Sequence, residues 1–428
     1  MIEQAPIKVA VIGAGISGLG CAYFLHRHGE GRFAVEVFEA QAQIGGHTAT
    51  KHIQWQGDEQ AVDTGFIVYN DWTYSNFIRL LDEIGVANQC TDMSFSVSCG
   101  ASGLEYSGSS INTLFAQRAN LFRWQYLRML YNIVRFNKQA INDLNRGIID
   151  QAITLGEYLQ HNRYSGLFES HYLVPMCAAI WSASTDVVQQ FPLLFFVRFF
   201  KNHGLLSVND RPQWRVIKGG SQAYLGPLTQ GFQEHIHCNA QIKGITRRED
   251  GVCLTMQDGS TQEFDEVVFA CHSDQALGLL DDATDSESSV LGAIPYQDND
   301  VVLHCDEKLL PRNRRAWAAW NYLLDGEKQD RAVLTYNMNI LQTLDSKHTY
   351  CVTLNATDRI DDDKILGRYT YAHPVFTLDT VAAQARWEEV NGVNRTWFCG
   401  AYWANGFHED GLTSALRVAR KLGVRWGE

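Results

Sequence analysis

The feature that most narrows the fold is Gly13-Ala14-Gly15-Ile16-Ser17-Gly18, which follows the apolar run Lys8 to Ile12 and opens a helically patterned stretch, Ser17 to His28, ended by Gly29. With Ala34 to Phe38 reading as a second buried strand, the segment is a βαβ unit. In that setting Gly13 allows a tight turn, Gly15 lets the backbone approach a pyrophosphate, and Gly18 lets helix and strand pack closely. The helix N-terminus, with Ile16 and Ser17, then faces the phosphates. Glu39 ends the second strand twenty-one residues after Gly18, where a carboxylate accepts hydrogen bonds from a ribose diol. Ala40 and Gln41 stand where a 2′-phosphate would need a cation, so NADP is disfavoured. A glycine-rich turn beside a surface glutamate explains either feature alone, but strand, loop, helix, strand and carboxylate in register favour a dinucleotide site.

A chain of 428 residues is too long for one ordinary core, and length alone suggests about two domains. A net charge of -12 disfavours a nucleic-acid partner. The ten cysteines include no C-x-x-C pair, so neither a metal centre nor a thioredoxin-type site is expected. Met1-Ile2-Glu3-Gln4 lacks a basic leader, and the run Phe191 to Phe200 is interrupted by Arg198 and closed by Lys201. The expected location is cytoplasmic, with peripheral membrane contact left open.

Between Asn76 and Gly204 the pattern turns helical and aromatic-rich; short strands return near Ile242, at Val252 to Met256 and at Val267 to Ala270. From Ala293 to about Tyr371 strand-like alternation suggests a second sheet, and Thr396 to Gly400 with Thr413 to Leu422 reads as a strand and a closing helix. The expected architecture is α/β: a dinucleotide domain from residues 1–75, 213–275 and 395–428, with a discontinuous α+β substrate domain from 76–212 (helical) and 276–394 (sheet).

Two further segments follow Glu39: Ile44-Gly45-Gly46-His47-Thr48, and Asp63-Thr64-Gly65-Phe66 running into Ile67. This succession resembles the flavin-containing amine oxidase and carotenoid-desaturase superfamily. The resemblance implies FAD on a Rossmann-like domain of the amine oxidase/glutathione reductase type, with Gly45 and Gly46 under the pyrophosphate and the Gly65 loop against the flavin ring. His47 stands where an arginine is common, which leaves backbone contacts, with Thr48 beside them. Arg215 to Ser221 resembles the segment that re-enters the FAD domain, and Ile242 falls where a backbone contact to the adenine side is expected. The run Gly400 to Leu412 resembles the flavin-closing motif, with Ala401 in place of a common acidic residue. A helix starting near Gly411 would aim its N–H groups, with Leu412 behind them, at negative charge on reduced flavin. Asp410 reads as its N-cap. Neither Cys399 nor His47 matches a linkage position, so the FAD is expected to be non-covalent.

The phrases Tyr172 to Met176, Ala179-Ile180-Trp181-Ser182, Trp320-Asn321-Tyr322, Tyr336 to Asn339, His373 to Phe376 and Gly406 to Gly411 together resemble a bacterial subgroup of predicted NAD/FAD-binding, amine-oxidase-like flavoproteins. The region in front of the methyltransferase domain of plant cyclopropane fatty acid synthases is similar. That resemblance implies an apolar small-molecule or acyl-lipid substrate and raises a lipid methyltransferase as a partner. Phe122, Tyr126, Met129, Ile133 and Phe136 recur at helical spacing with Arg128 and Arg135 on another face, which fits either a core stripe or a basic amphipathic helix.

The expected chemistry is hydride removal from an apolar substrate onto flavin, with Tyr322 and His408 as acid–base candidates. Three rivals remain: a true amine oxidase, for which Lys218 and Lys308 are the available lysines; a non-redox flavin isomerase or mutase; and an FAD-bound partner of a lipid methyltransferase.

Overall fold

The computed structural model describes residues 5–181, 185–207, 210–324 and 332–427. Met1 to Gln4 and Ser182, both used in the sequence reading, lie outside the described residues. Strand Ile7–Ile12 sits at the centre of a five-stranded parallel sheet, between Phe33–Phe38 and Glu266–Phe269, with Ile236–His237 and Thr396–Phe398 at the edges. Parallel neighbours need long crossovers, so well-separated parts of the chain build this one sheet. Helix Ile16–His28 packs against the last helix, His408–Lys421: an ideal Cβ on Gly20 would lie 2.8 Å from Leu412 Cδ1.

The second sheet has seven strands in the order Ile365–Pro374, Tyr296–His304, Cys351–Leu354, Val333–Asn337, Trp320–Leu324, Phe95–Cys99 and Glu105–Ser107. The last two come from the stretch that reads as helical. Phe95-Ser96-Val97-Ser98-Cys99 alternates with period two, and the hydroxyl of buried Ser96 donates to Asn321 Oδ1 at 2.8 Å, so a polar strand residue is tolerated inside. Helices Trp124–Asn145, Val174–Trp181 and Leu193–Asn202 share a hydrophobic core with this sheet. Tyr126, Met129 and Phe136 point into that core, whereas Phe122 ends the preceding turn and is 90% exposed.

Asp63, at the end of the hairpin Thr50–Trp55/Asp58–Asp63, ties the parts together. Its buried carboxylate accepts from Thr50 Oγ1 (2.6 Å), Ser221 N (2.9 Å) and Oγ (2.9 Å), and Gln342 Nε2 (2.9 Å), while Gln342 Oε1 accepts from Asp63 N (2.8 Å). Burial raises its pKa to about 6 against the pull of these bonds. Asp63→Ala would strand several buried donors, so we expect a loss of about 3 kcal/mol in urea unfolding of the holoprotein. An unchanged midpoint would show that the network carries no net stability.

Candidate active site

A continuous cavity of about 1540 Å³ runs from the glycine loop into a chamber walled by aromatic side chains from both sheets and the helices above them. Its narrow end is built from glycines in contact with one another. Gly13 (φ +105°) abuts Ala270 and Cys271, and a Cβ on Gly18 would lie 1.9 Å from Gly13 O. Gly45 N donates to Ala14 O at 2.8 Å, and a Cβ on Gly46 (φ +56°) would come within 3.2 Å of Gly15 Cα. Gly65 lies under His47 O, which also accepts from Phe66 N at 2.7 Å. In front of Gly15, by contrast, a Cβ would meet nothing within 4 Å. That open cradle at a helix N-terminus fits a diphosphate. Glu39 accepts from Ala14 N (2.8 Å) and Gln41 N (2.9 Å), which holds its carboxylate beside the loop.

Of the residues singled out by sequence, Gly13, Gly15, Ile16, Ser17, Glu39 and Ala40 line the cavity, as do Gly45 to Thr48, Gly65 to Ile67, Ile242, Gly400 and His408. Gly18, Gly411 and Leu412 lie behind it in helix packing; a Cβ on Gly411 would sit 2.8 Å from Ser17 Oγ. The closing helix begins at His408, three residues before the start expected near Gly411, so Asp410 lies within its first turn instead of capping it from outside. Its half-buried carboxylate reaches back to accept from Phe407 N (2.9 Å) and Asn405 N (3.2 Å), and desolvation raises its pKa to about 6.

His408 stacks on Phe66 at 3.7 Å between ring centroids, and its Nε2 lies 2.7 Å from Tyr224 Oη. Burial lowers its pKa to about 3, so the ring is neutral. Tyr322 is 1% exposed, packed in the core, and is not part of the cavity lining. Lys218 and Lys308 are exposed and do not line the cavity either; Lys51 does, with its ammonium 4.7 Å from the Tyr369 ring centroid. Cys399 is buried with its Sγ toward Ser17 O.

Sequence reading missed a histidine cluster. His47 lies 5.5 Å from His373 and 6.1 Å from His272 between ring centroids, with Tyr371 at 5.3 Å, and all four line the cavity. They come from three distant segments, so no spacing announced them. Among the described residues, His47 Nε2 and Trp320 Nε1 are buried in cavity-lining side chains without a hydrogen-bond partner, which fits a polar ligand in the cavity.

A glycine cradle on a parallel sheet, opening into an apolar chamber, defines a dinucleotide-binding α/β enzyme. Comparison with known proteins narrows the class: the flavin containing amine oxidoreductase family matches residues 16–314, and the chain belongs to that family. It is therefore an FAD-dependent oxidoreductase. Prenylcysteine oxidase 1 of Pongo abelii is 21% identical over 89% of this chain and 76% of its own length, and that of Mus musculus 22% identical over 64% and 55%. Among solved structures, a CLA-producing fatty acid isomerase from P. acnes superposes with a TM-score of 0.72 at 15% identity, covering 98% of this chain and 100% of that one. Cyclohexylamine oxidase from Brevibacterium oxydans IH-35A gives 0.64 at 16% identity, with 98% and 100% covered. These structures share the fold.

Two outcomes follow from the geometry. Gly15 has ordinary extended dihedrals (φ -78°, ψ -175°), so Gly15→Leu fits the backbone and fills only the open cradle. We expect an intact circular dichroism spectrum with FAD affinity reduced roughly 100-fold, on the order of 3 kcal/mol; unchanged affinity would place the diphosphate elsewhere. The second outcome concerns pH. Burial depresses His47 and His408 to about 3 and His373 to about 4. Each such ring takes up a proton on unfolding below about pH 6.5, so its contribution to stability is full above that pH and is lost toward its folded value, by about 1.4 kcal/mol per unit. Asp63, Glu409 and Asp410, raised to about 6, act in the opposite sense between about pH 4 and 6. Relative to the parent chain, His408→Gln should lower the slope of unfolding free energy against pH over that window by about 1.4 kcal/mol per unit. Identical slopes would mean that His408 is not held neutral.

Proposed function

We propose that the protein oxidises an apolar, lipid-like substrate, which loses a hydride to bound FAD and a proton to solvent, the electrons passing on to oxygen, a quinone or another two-electron acceptor. The observation that carries this reading is the chamber wall. Phe95, Tyr172, Met176, Ile180, Trp181, Phe199, Tyr336, Phe376 and Phe407 form a lining suited to a hydrocarbon chain and to excluding water. The relatives named for a prenylcysteine and for a fatty acid support an apolar substrate. The resemblance to the flavoprotein region of cyclopropane fatty acid synthases supports unsaturated or branched acyl chains in particular.

In this reading the Gly13 to Ser17 loop would hold the diphosphate, Glu39 the adenosine ribose, and Ile242 the adenine side. His47, Gly65, Phe66 and Ile67 would border the flavin. The N-terminal N–H groups of the helix from His408 would favour negative charge on it, and Asp410 holds that turn in place. His408, neutral and stacked on Phe66, suits a positioning role better than proton transfer at neutral pH. Neither Lys218 nor Lys308 lines the cavity and Lys51 does, so it is the aromatic and aliphatic chamber wall, not the lysines, that favours a lipid over an amine.

Anaerobic absorbance titration of the yellow protein tests this. Phospholipids with unsaturated, methyl-branched or cyclopropane acyl chains should bleach the flavin, and a panel of amines should not. Bleaching by amines alone would overturn the reading, and bleaching by neither would favour a non-redox isomerase or a partner of a lipid methyltransferase.

A further inference from the structure

Helix Trp124–Asn145 is apolar on two faces. Tyr126, Met129 and Phe136 are buried, as core packing requires. On the opposite side Trp124 (73% exposed), Leu127, Tyr131 (66%) and Val134 form a second stripe, spaced as neighbours along one helix face and exposed in the described structure. Immediately before it, Ile111 and Phe122 are 80% and 90% exposed, beside exposed Leu121. Tyr126 Oη donates to Leu114 O (2.6 Å), which fastens the turn after Ile111 to the start of the helix, while Leu121 and Phe122 lead directly into Trp124. Single exposed apolar residues are ordinary, but a contiguous group of large ones marks an interaction site.

We propose that this surface, residues 111–138, seats the protein on an anionic lipid bilayer and delivers acyl chains from it into the cavity. The proposal rests on the apolar-substrate reading above for what is delivered, but not for the docking itself. Charge identifies the occupant. In a chain of net charge -12, residues 106–142 carry Arg118, Arg123, Arg128, Arg135 and Lys138 and no acidic residue. Arg118, Arg123, Arg128 and Lys138 are exposed beside the apolar stripe. Basic side chains interleaved with exposed Trp, Phe and Tyr match the headgroup and upper acyl layers of an anionic leaflet. A second copy of the chain on this face would set one basic patch against its twin across a two-fold axis, which disfavours that occupant. Among the described residues no helix is long and apolar enough to cross a membrane, so the contact is with one leaflet.

The surface is also continuous with the site. Leu114, Leu130, Ile133 and Val134 line the cavity, and Val134 is at the same time 45% exposed in the outer stripe. A hydrocarbon chain leaving the leaflet beside this helix therefore enters an apolar wall without crossing water.

Vesicle flotation with the holoprotein tests the docking. The parent chain should float with phosphatidylcholine vesicles containing about a third phosphatidylglycerol, more weakly with phosphatidylcholine alone, and less as salt rises. Phe122→Ser combined with Trp124→Ser should weaken binding by at least about tenfold. Arg123→Gln, Arg128→Gln and Lys138→Gln together should abolish the preference for the anionic lipid. Flavin content and melting temperature should be unchanged in both variants, since every altered side chain is exposed. Failure of the parent chain to float, or equal flotation of the Phe122/Trp124 variant, would overturn the proposal. So would loss of a dimer, instead of loss of vesicle binding, in light scattering of that variant. Flotation involves no turnover, so its failure is separable from a failure of flavin bleaching by dissolved lipids.

Discussion

Backbone meets backbone at the head of the parallel sheet, and the active site depends on that contact. The loop after the first strand, the Gly45-Gly46 pair and the Gly65 turn are stacked so closely that side chains at Gly18, Gly45 or Gly65 would collide with neighbouring main-chain carbonyls, while Gly15 alone looks into open space. Close contact behind and vacant space in front are what a diphosphate requires: N–H groups fixed without strain, and no Cβ between them and the ligand. The closing helix completes the arrangement because Gly411 has no side chain to hold it away from Ser17.

Around this cradle the protein buries ionisable groups and keeps them satisfied or neutral. Asp63 joins the hairpin, the returning Ser221 segment and Gln342, which follows strand Val333–Asn337 of the second sheet, through one carboxylate. His47, His373 and His408 instead lose their charge to burial, so the wall facing the ligand offers neutral donors and acceptors in place of fixed cations. That neutral setting is built from side chains on three separate segments.

The cradle was legible in the sequence because its parts are local: glycine spacing, a preceding apolar strand and a carboxylate at the next strand end all fall within the first forty or so residues. Strands Phe95–Cys99 and Glu105–Ser107 were obscured by the helices that follow them, although the alternation in Phe95 to Cys99 was present to be read. The start of the last helix was misplaced because Gly411 looks like a boundary, whereas Asp410 reaching back to Phe407 N extends the helix upstream. The histidine cluster and the exclusion of Tyr322 from the cavity lining depend on how distant strands come together, which local pattern does not encode.

In the function proposed above, the chamber beyond the glycine cradle receives the substrate, and its aromatic and aliphatic wall is the reason to propose a hydrocarbon. The fold is shared with a fatty acid isomerase, whose name implies a product of unchanged mass, and with oxidases, so the decisive question is net oxidation. Mass spectrometry of the product of a single anaerobic turnover with a bleaching acyl lipid answers it. The account predicts a product lighter by two hydrogens, formed in proportion to the flavin reduced. A product of the same mass as the substrate, with the flavin returned to its oxidised state, would contradict it.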